Sequence, residues 1–251
     1  MGRGFLLLML TAVFALAGPA RAQGSAGRFD GWATVVISAD WRDGGRQPIE
    51  AFDNARRDVT AGLLAAGLPS GSMIDFTLNP AASRTASAEV VARAVGDLTR
   101  RAQGGCLLYF TSHGTPEGMV FGDDGLVTPA SLGRMVREWC GARPTVVIVS
   151  ACYSGVFVNA LAAPNRMVLT ATSRERTSFG CGAGETYPWF DGCVIESLPA
   201  ASDFLALAAA ARACVARKEQ AAGIALPSEP QLFVGAEMQL RLPTLRFERS
   251  P

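Results

Sequence analysis

Two hydrophobic periods alternate along the chain. Short apolar runs rich in β-branched residues read as buried strands. They are WATVVISAD (Trp32 to Asp40), SMIDFTLN (Ser72 to Asn79), CLLYFTSHG (Cys106 to Gly114), TVVIVSA (Thr145 to Ala151), RMVLTATS (Arg166 to Ser173) and PQLFVGAEMQL (Pro230 to Leu240). Between them apolar residues recur at helical spacing. Phe52, Ala55, Val59, Leu63 and Ala66 form one stripe, closed by Gly67 and Pro69. Val91, Val95, Leu98 and Ala102 form a second, stopped by Gly104-Gly105. Leu132, Val136 and Trp139 form a third, with Thr128 as N-cap, Pro129 at the first helical position and Gly141 at the end. Phe204, Leu207, Ala211 and Val215 form a fourth, with Ser202 as the expected cap. Gly118 to Thr128 reads as a small hairpin, and residues 174–193 as a long Gly-rich irregular segment.

Strands alternating with helices predict an α/β domain with a mostly parallel sheet covered on both faces. In such sheets ligands bind beyond the carboxyl ends of the strands. The domain is expected over 32–240, with a flexible N-terminus at 23–31 and a C-terminal tail at 241–251. Ahead of it, Arg3, the apolar run Phe5 to Ala17 and Ala20-Arg21-Ala22 have the pattern of a secretory signal peptide, residues 1–22. The run is shorter than the roughly 20 residues a spanning helix needs. Export to the periplasm or beyond is expected, with no stable membrane anchor after cleavage. Removing 22 of 251 residues leaves 229 and lowers 23 basic residues to 21, against 22 acidic ones. That balance leaves no electrostatic footprint for nucleic acid.

Two strand ends carry the chemistry. The third strand ends in Ser112-His113-Gly114, and His113 is the single histidine of the chain. The fourth ends in Ser150-Ala151-Cys152. One crossover helix joins them, so the strands should be neighbours, about 4.8 Å apart. His113 and Cys152 would then share the top of the sheet. A thiol is a good nucleophile near neutral pH, and an imidazole moves a proton there. Gly114 allows close backbone approach, so its N–H and that of Cys152 are candidate oxyanion donors. Read alone, a histidine at a strand end is more often structural and a cysteine there more often an inert core thiol; the two together, on adjacent strands at the same edge, reverse that.

The Ser112-His113-Gly114 and Ala151-Cys152-Tyr153-Ser154-Gly155 motifs, with FDNARRDV after the first strand, resemble the legumain-type cysteine peptidases, which share the caspase fold. The resemblance implies a six-stranded sheet with an antiparallel last strand, in a three-layer sandwich. It implies His113 as general acid/base, Cys152 as nucleophile and an oxyanion site at the Gly114 amide. Plant and animal legumains carry a C-terminal inhibitory domain; this chain ends soon after its last strand, so that form of latency is expected to be absent. Their asparagine-selecting Arg-His pair has no counterpart here. Arg46, Arg56 and Arg57 are candidates to face a pocket, as are Glu185 and Asp191 if a basic residue is selected; residues of these types are more often solvated surface charges.

Six cysteines lie beyond the leader. Cys106 and Cys140 fall at the amino ends of adjacent strands and are expected to form a disulfide. Among Cys181, Cys193 and Cys214, the pair expected is Cys181–Cys193. One histidine and no Cys-x-x-Cys give no zinc pattern, so no metal or cofactor is expected. The reading is an exported cysteine endopeptidase acting on proteins or peptides through a thioester acyl-enzyme. A transpeptidase or ligase with the same dyad, and a catalytically silent binding module, remain alternatives.

Overall fold

The computed structural model describes residue 1 and residues 28–44, 46–82, 86–123 and 125–248. The leader beyond Met1 and the first part of the expected flexible N-terminus lie outside these residues. The central sheet has six strands: β1 (Trp32–Ser38), β2 (Met73–Thr77), β3 (Gly105–Thr111), β7 (Thr145–Ser150), β8 (Arg166–Thr170) and β9 (Gln231–Val234). Their spatial order is β2-β1-β3-β7-β8-β9. All neighbours are parallel except β8 and β9, which are antiparallel. A second, three-stranded antiparallel sheet holds β4 (Gly114–Thr115), β5 (Gly118–Val120) and β6 (Leu126–Val127), extending the expected hairpin by one short strand.

Among the described residues seven helices fill the gaps: α1 (Ala51–Ala65), α2 (Ala88–Arg101), α3 (Pro129–Cys140), α4 (Phe157–Leu161), α5 (Trp189–Ser197), α6 (Phe204–Ala221) and α7 (Ala236–Arg241). Two cores lie on opposite faces of the sheet. On one, Val36, Leu107, Val146 and Leu169 pack against Val59 and Leu63 of α1, Val194 of α5 and Leu207 of α6. On the other, Val35, Leu108, Val147 and Val168 pack against Val95 of α2, Val136 of α3 and Leu161 of α4. Successive residues of one strand thus serve different faces, as the pleat dictates. Every position of β1, β3, β7 and β8 is buried, which is why these strands read as unbroken apolar runs.

The chain leaves β1 toward β2 on one side, and leaves β3 toward β7 on the other. The carboxyl ends of β1 and β3 therefore flank a topological switch point, where the two outgoing connections part and leave a crevice.

Several elements differ from expectation. The segment 174–193 ends in helix α5. It lacks a visible stripe because Phe190, Asp191, Cys193, Val194 and Ser197 are all buried, between the sheet and α6. Asp203, not Ser202, caps α6, its carboxylate accepting from the Ala206 N–H. The last strand stops at Val234 and continues as α7. Both margins of the expected domain pack onto it. Phe29 is buried against Trp32 and Phe204, and Leu242 and Leu245 are buried in the same core.

Cys106 and Cys140 form a disulfide between the start of β3 and the end of α3. The second disulfide is Cys193–Cys214, so the expected Cys181–Cys193 pair is corrected. Both Cys193 and Cys214 are inward-facing residues of adjacent helices, α5 and α6. Cys181 instead packs against Ile49, Ala51 and Phe52 at the start of α1 and is a free thiol.

Candidate active site

Thr111 of β3 and Ser150 of β7 are register partners, and the Ser112 N–H donates to the Ser150 carbonyl at 3.0 Å. Two residues further along each chain stand His113 and Cys152. The sheet thus delivers both to the same edge on neighbouring strands. Directly beyond, the backbones touch. A Cβ placed on Gly114 would lie 2.1 Å from the Cys152 carbonyl oxygen, so only glycine fits there. The loop after β8 takes the space beside Gly155, whose added Cβ would meet the Arg174 nitrogen at 2.4 Å. Gly155 therefore admits the protein's own backbone rather than a ligand.

The His113 ring is held from the first strand's loop. Its Nε2 lies 2.8 Å from the Arg42 carbonyl oxygen. A carbonyl only accepts, so Nε2 carries a proton, and in the neutral ring Nδ1 holds the lone pair. Phe52 packs edge-on against the imidazole, with ring centres 5.0 Å apart. The backbone of His113 is braced by the Val120 N–H, which donates to its carbonyl at 2.9 Å.

Cys152 is a free, half-buried thiol. The Ser178 N–H donates to its Sγ at 3.2 Å, and the thiol points back to the Ser178 carbonyl at 3.7 Å. Burial pushes the thiol above its ordinary pKa; the backbone N–H groups of Ser178 and of Cys152 itself pull the other way and lose. Tyr153, the next residue, has φ of +56°, a left-handed conformation uncommon for a bulky side chain. Its N–H donates to the Arg176 carbonyl at 2.8 Å. The loop after β8 therefore lies along the Cys152-Tyr153 turn.

Beneath this edge sits Asp191, in the first turn of α5 and fully buried. Thr111 and Ser150 each donate a hydroxyl to its Oδ2 at 2.8 Å, and the Tyr109 hydroxyl bonds Oδ1. Burial raises the Asp191 carboxyl to about 6, against the three hydroxyls, which favour its anion. It is therefore a buried group of the sheet edge and not the solvated loop residue that the sequence suggested. Glu185 is exposed in the loop. Arg56 pairs with Asp53 and Asp75, and Arg57 with Asp53 and Asn54, so both serve the surface of α1 and its neighbour β2. Arg46 lines a cavity of about 330 Å3 together with Asp40, Arg42, Asp43 and Asp123. Among the described residues no cluster of three or more His, Cys, Asp or Glu is placed to hold a metal ion.

Residues 70–190 match the model of the Peptidase C13 family. The matched segment, just under half of the chain, is similar to the C13, or legumain, family of cysteine peptidases. It runs from the entry of β2 to the first turn of α5, and so contains His113, Gly114, Cys152 and the loop over the thiol. Among solved structures, the chain is similar to caspase-1 from Spodoptera frugiperda, with a TM-score of 0.61 and 13% identity over 83% of this chain and 88% of that one. At that identity the likeness establishes a caspase-like fold. No curated protein matches the chain.

Proposed function

We propose that the protein is an exported cysteine endopeptidase in which Cys152 attacks a peptide carbonyl and His113 moves the proton. The observation that carries this reading is the meeting of two strand ends. Gly114 lies on the Cys152 carbonyl, and His113 is held so that Nδ1 is free to accept. In the first step Sγ bonds the carbonyl carbon while its proton passes to Nδ1. The oxygen's developing charge meets the N–H groups of Gly114 and Cys152. The imidazolium then gives its proton to the departing amine, leaving a thioester. Water, losing a proton to His113, releases the acid and restores the thiol.

Two disulfides suit the oxidising compartment that a leader peptide implies. No described helix is long and apolar enough to cross a membrane. The deciding experiment is hydrolysis of a fluorogenic peptide library by the mature chain, Cys152→Ala and His113→Ala. Both variants should lose turnover, by a factor of at least about 10³ if nucleophile and base act as a unit. Wild-type turnover in both would sink the proposal.

A further inference from the structure

The residue that holds His113 does so through its backbone, yet its side chain is among the most heavily bonded in the structure. The Arg42 Nε donates to Asp40 Oδ1 at 2.9 Å. Its Nη1 donates to Asp123 Oδ1 at 2.9 Å and its Nη2 to the Gly122 carbonyl at 2.9 Å. The guanidinium carbon lies 4.2 Å from the centre of the Trp41 ring. Asp40 is itself buried and also accepts from the Trp41 N–H at 2.8 Å. The loop after β1 is thereby tied to the turn between β5 and β6, some 80 residues away in sequence. The Gly122 N–H closes the same junction by donating to the Ala39 carbonyl at 2.7 Å.

We propose that Arg42 is a positioning residue: its guanidinium locks the β1–α1 loop onto the β5–β6 turn, so that the Arg42 carbonyl holds the His113 ring in one tautomer and one orientation. The loop leaves β1 at the switch point of the sheet, and a carbonyl on such a loop orients a ring only if the loop is fixed. The two loops offer no strand ladder to each other. A five-donor fork that reaches a buried carboxylate, an exposed carboxylate and a backbone carbonyl at once supplies the missing rigidity. Lysine, with one point of charge, cannot span the three acceptors.

The inference rests on His113 being the base, and the test separates the two. Every substitution of Arg42 keeps the backbone carbonyl and removes only the brace. His113 is the single histidine of the chain, so its ring nitrogens are read without overlap by 15N NMR of histidine-labelled mature protein. At about pH 8, above the ordinary histidine range, the wild type should show one protonated and one bare nitrogen, widely split. Arg42→Met should collapse that split toward an average of tautomers. It should also lower kcat by about 10- to 100-fold with KM little changed, the effect of a misplaced catalytic group. Arg42→Lys should recover part of both. Asp123→Asn acts at the exposed end of the brace, where folding is not at stake, and should give a smaller loss in the same direction. Wild-type splitting and kcat in Arg42→Met, or in Asp123→Asn if the first does not fold, overturn the proposal. Should His113→Ala keep full activity, the base assignment fails, while the NMR arm still reports whether Arg42 fixes the ring.

Discussion

Asp191 makes a sharp test of the electrostatics beneath the site. It is fully buried, no arginine or lysine among the described residues bonds it, and its carboxyl is raised to about 6 from 3.8. In this pH range the folded chain holds a proton that the unfolded chain has released. Stability then falls as pH rises, at about 1.4 kcal/mol per unit while the difference in bound protons is one. Over the window from 3.8 to about 6 the loss is about 3 kcal/mol. The contribution is fully present below pH ~4 and gone once pH has passed ~6. Asp191→Asn removes the titration while keeping the shape. Urea unfolding of both proteins, at steps between pH 4 and 8, gives the difference in stability at each pH. Other titrating groups are common to both and cancel. The wild type minus variant difference should fall by about 3 kcal/mol across the window. A flat difference would show that the hydroxyls of Tyr109, Thr111 and Ser150 balance burial; a rising one would show that they outweigh it. Either refutes the reasoning.

Three further outcomes are expected. Gly114→Ala places a methyl against the Cys152 carbonyl and should cost several kcal/mol of stability or displace the dyad, seen as lost turnover and a lowered Tm; full activity at unchanged Tm would contradict the close approach. Serine at both Cys193 and Cys214 opens a loop closed over a separation of 21 residues, and denaturant unfolding should show a loss of about 3 kcal/mol on a chain-entropy estimate. In a Cys181→Ser background, alkylation of Cys152 by iodoacetamide should rise with pH and reach half its maximum above the ordinary thiol value of about 8.5; a plateau already at pH ~7 would mean a preformed thiolate.

How much of this was legible follows from how locally each feature is encoded. The buried strands announced themselves because helices cover both faces and demand apolar residues at every position. That His113 and Cys152 stand at one sheet edge was legible because their strands are neighbours in the sheet, so sequence order predicts spatial order. The fold that these motifs implied is that of the caspase-like sheet, and residues 70–190 match the family that they resemble. Helix α5 was hidden because it is buried around much of its circumference and shows no stripe. Missing it left Cys193 in an apparent loop and suggested the wrong disulfide. It also left Asp191 looking solvated. Arg42 gave no signal at all, since its partners beyond the local turn come from another hairpin. Nor does a tyrosine announce the left-handed turn after Cys152.

The loop after β8 bears on how the proposed reaction would begin. The Ser178 carbonyl and N–H both face the thiol, and Arg176 bonds the next residue's N–H. A substrate carbonyl reaching Sγ must enter the space beside Ser178. The far end of this loop is tied down, because Asp191 at the start of α5 bonds hydroxyls from both strands that lead to His113 and Cys152. The raised thiol pKa adds a chemical condition to this steric one. Burial favours the thiol of Cys152 over its thiolate, so in the proposed reaction its attack would coincide with proton transfer to His113 instead of following it. A ring turned to the wrong tautomer would then block the first step and not merely slow the second. In the proposed dyad, the hold that the Arg42 carbonyl keeps on Nε2 would matter most because burial favours the protonated nucleophile.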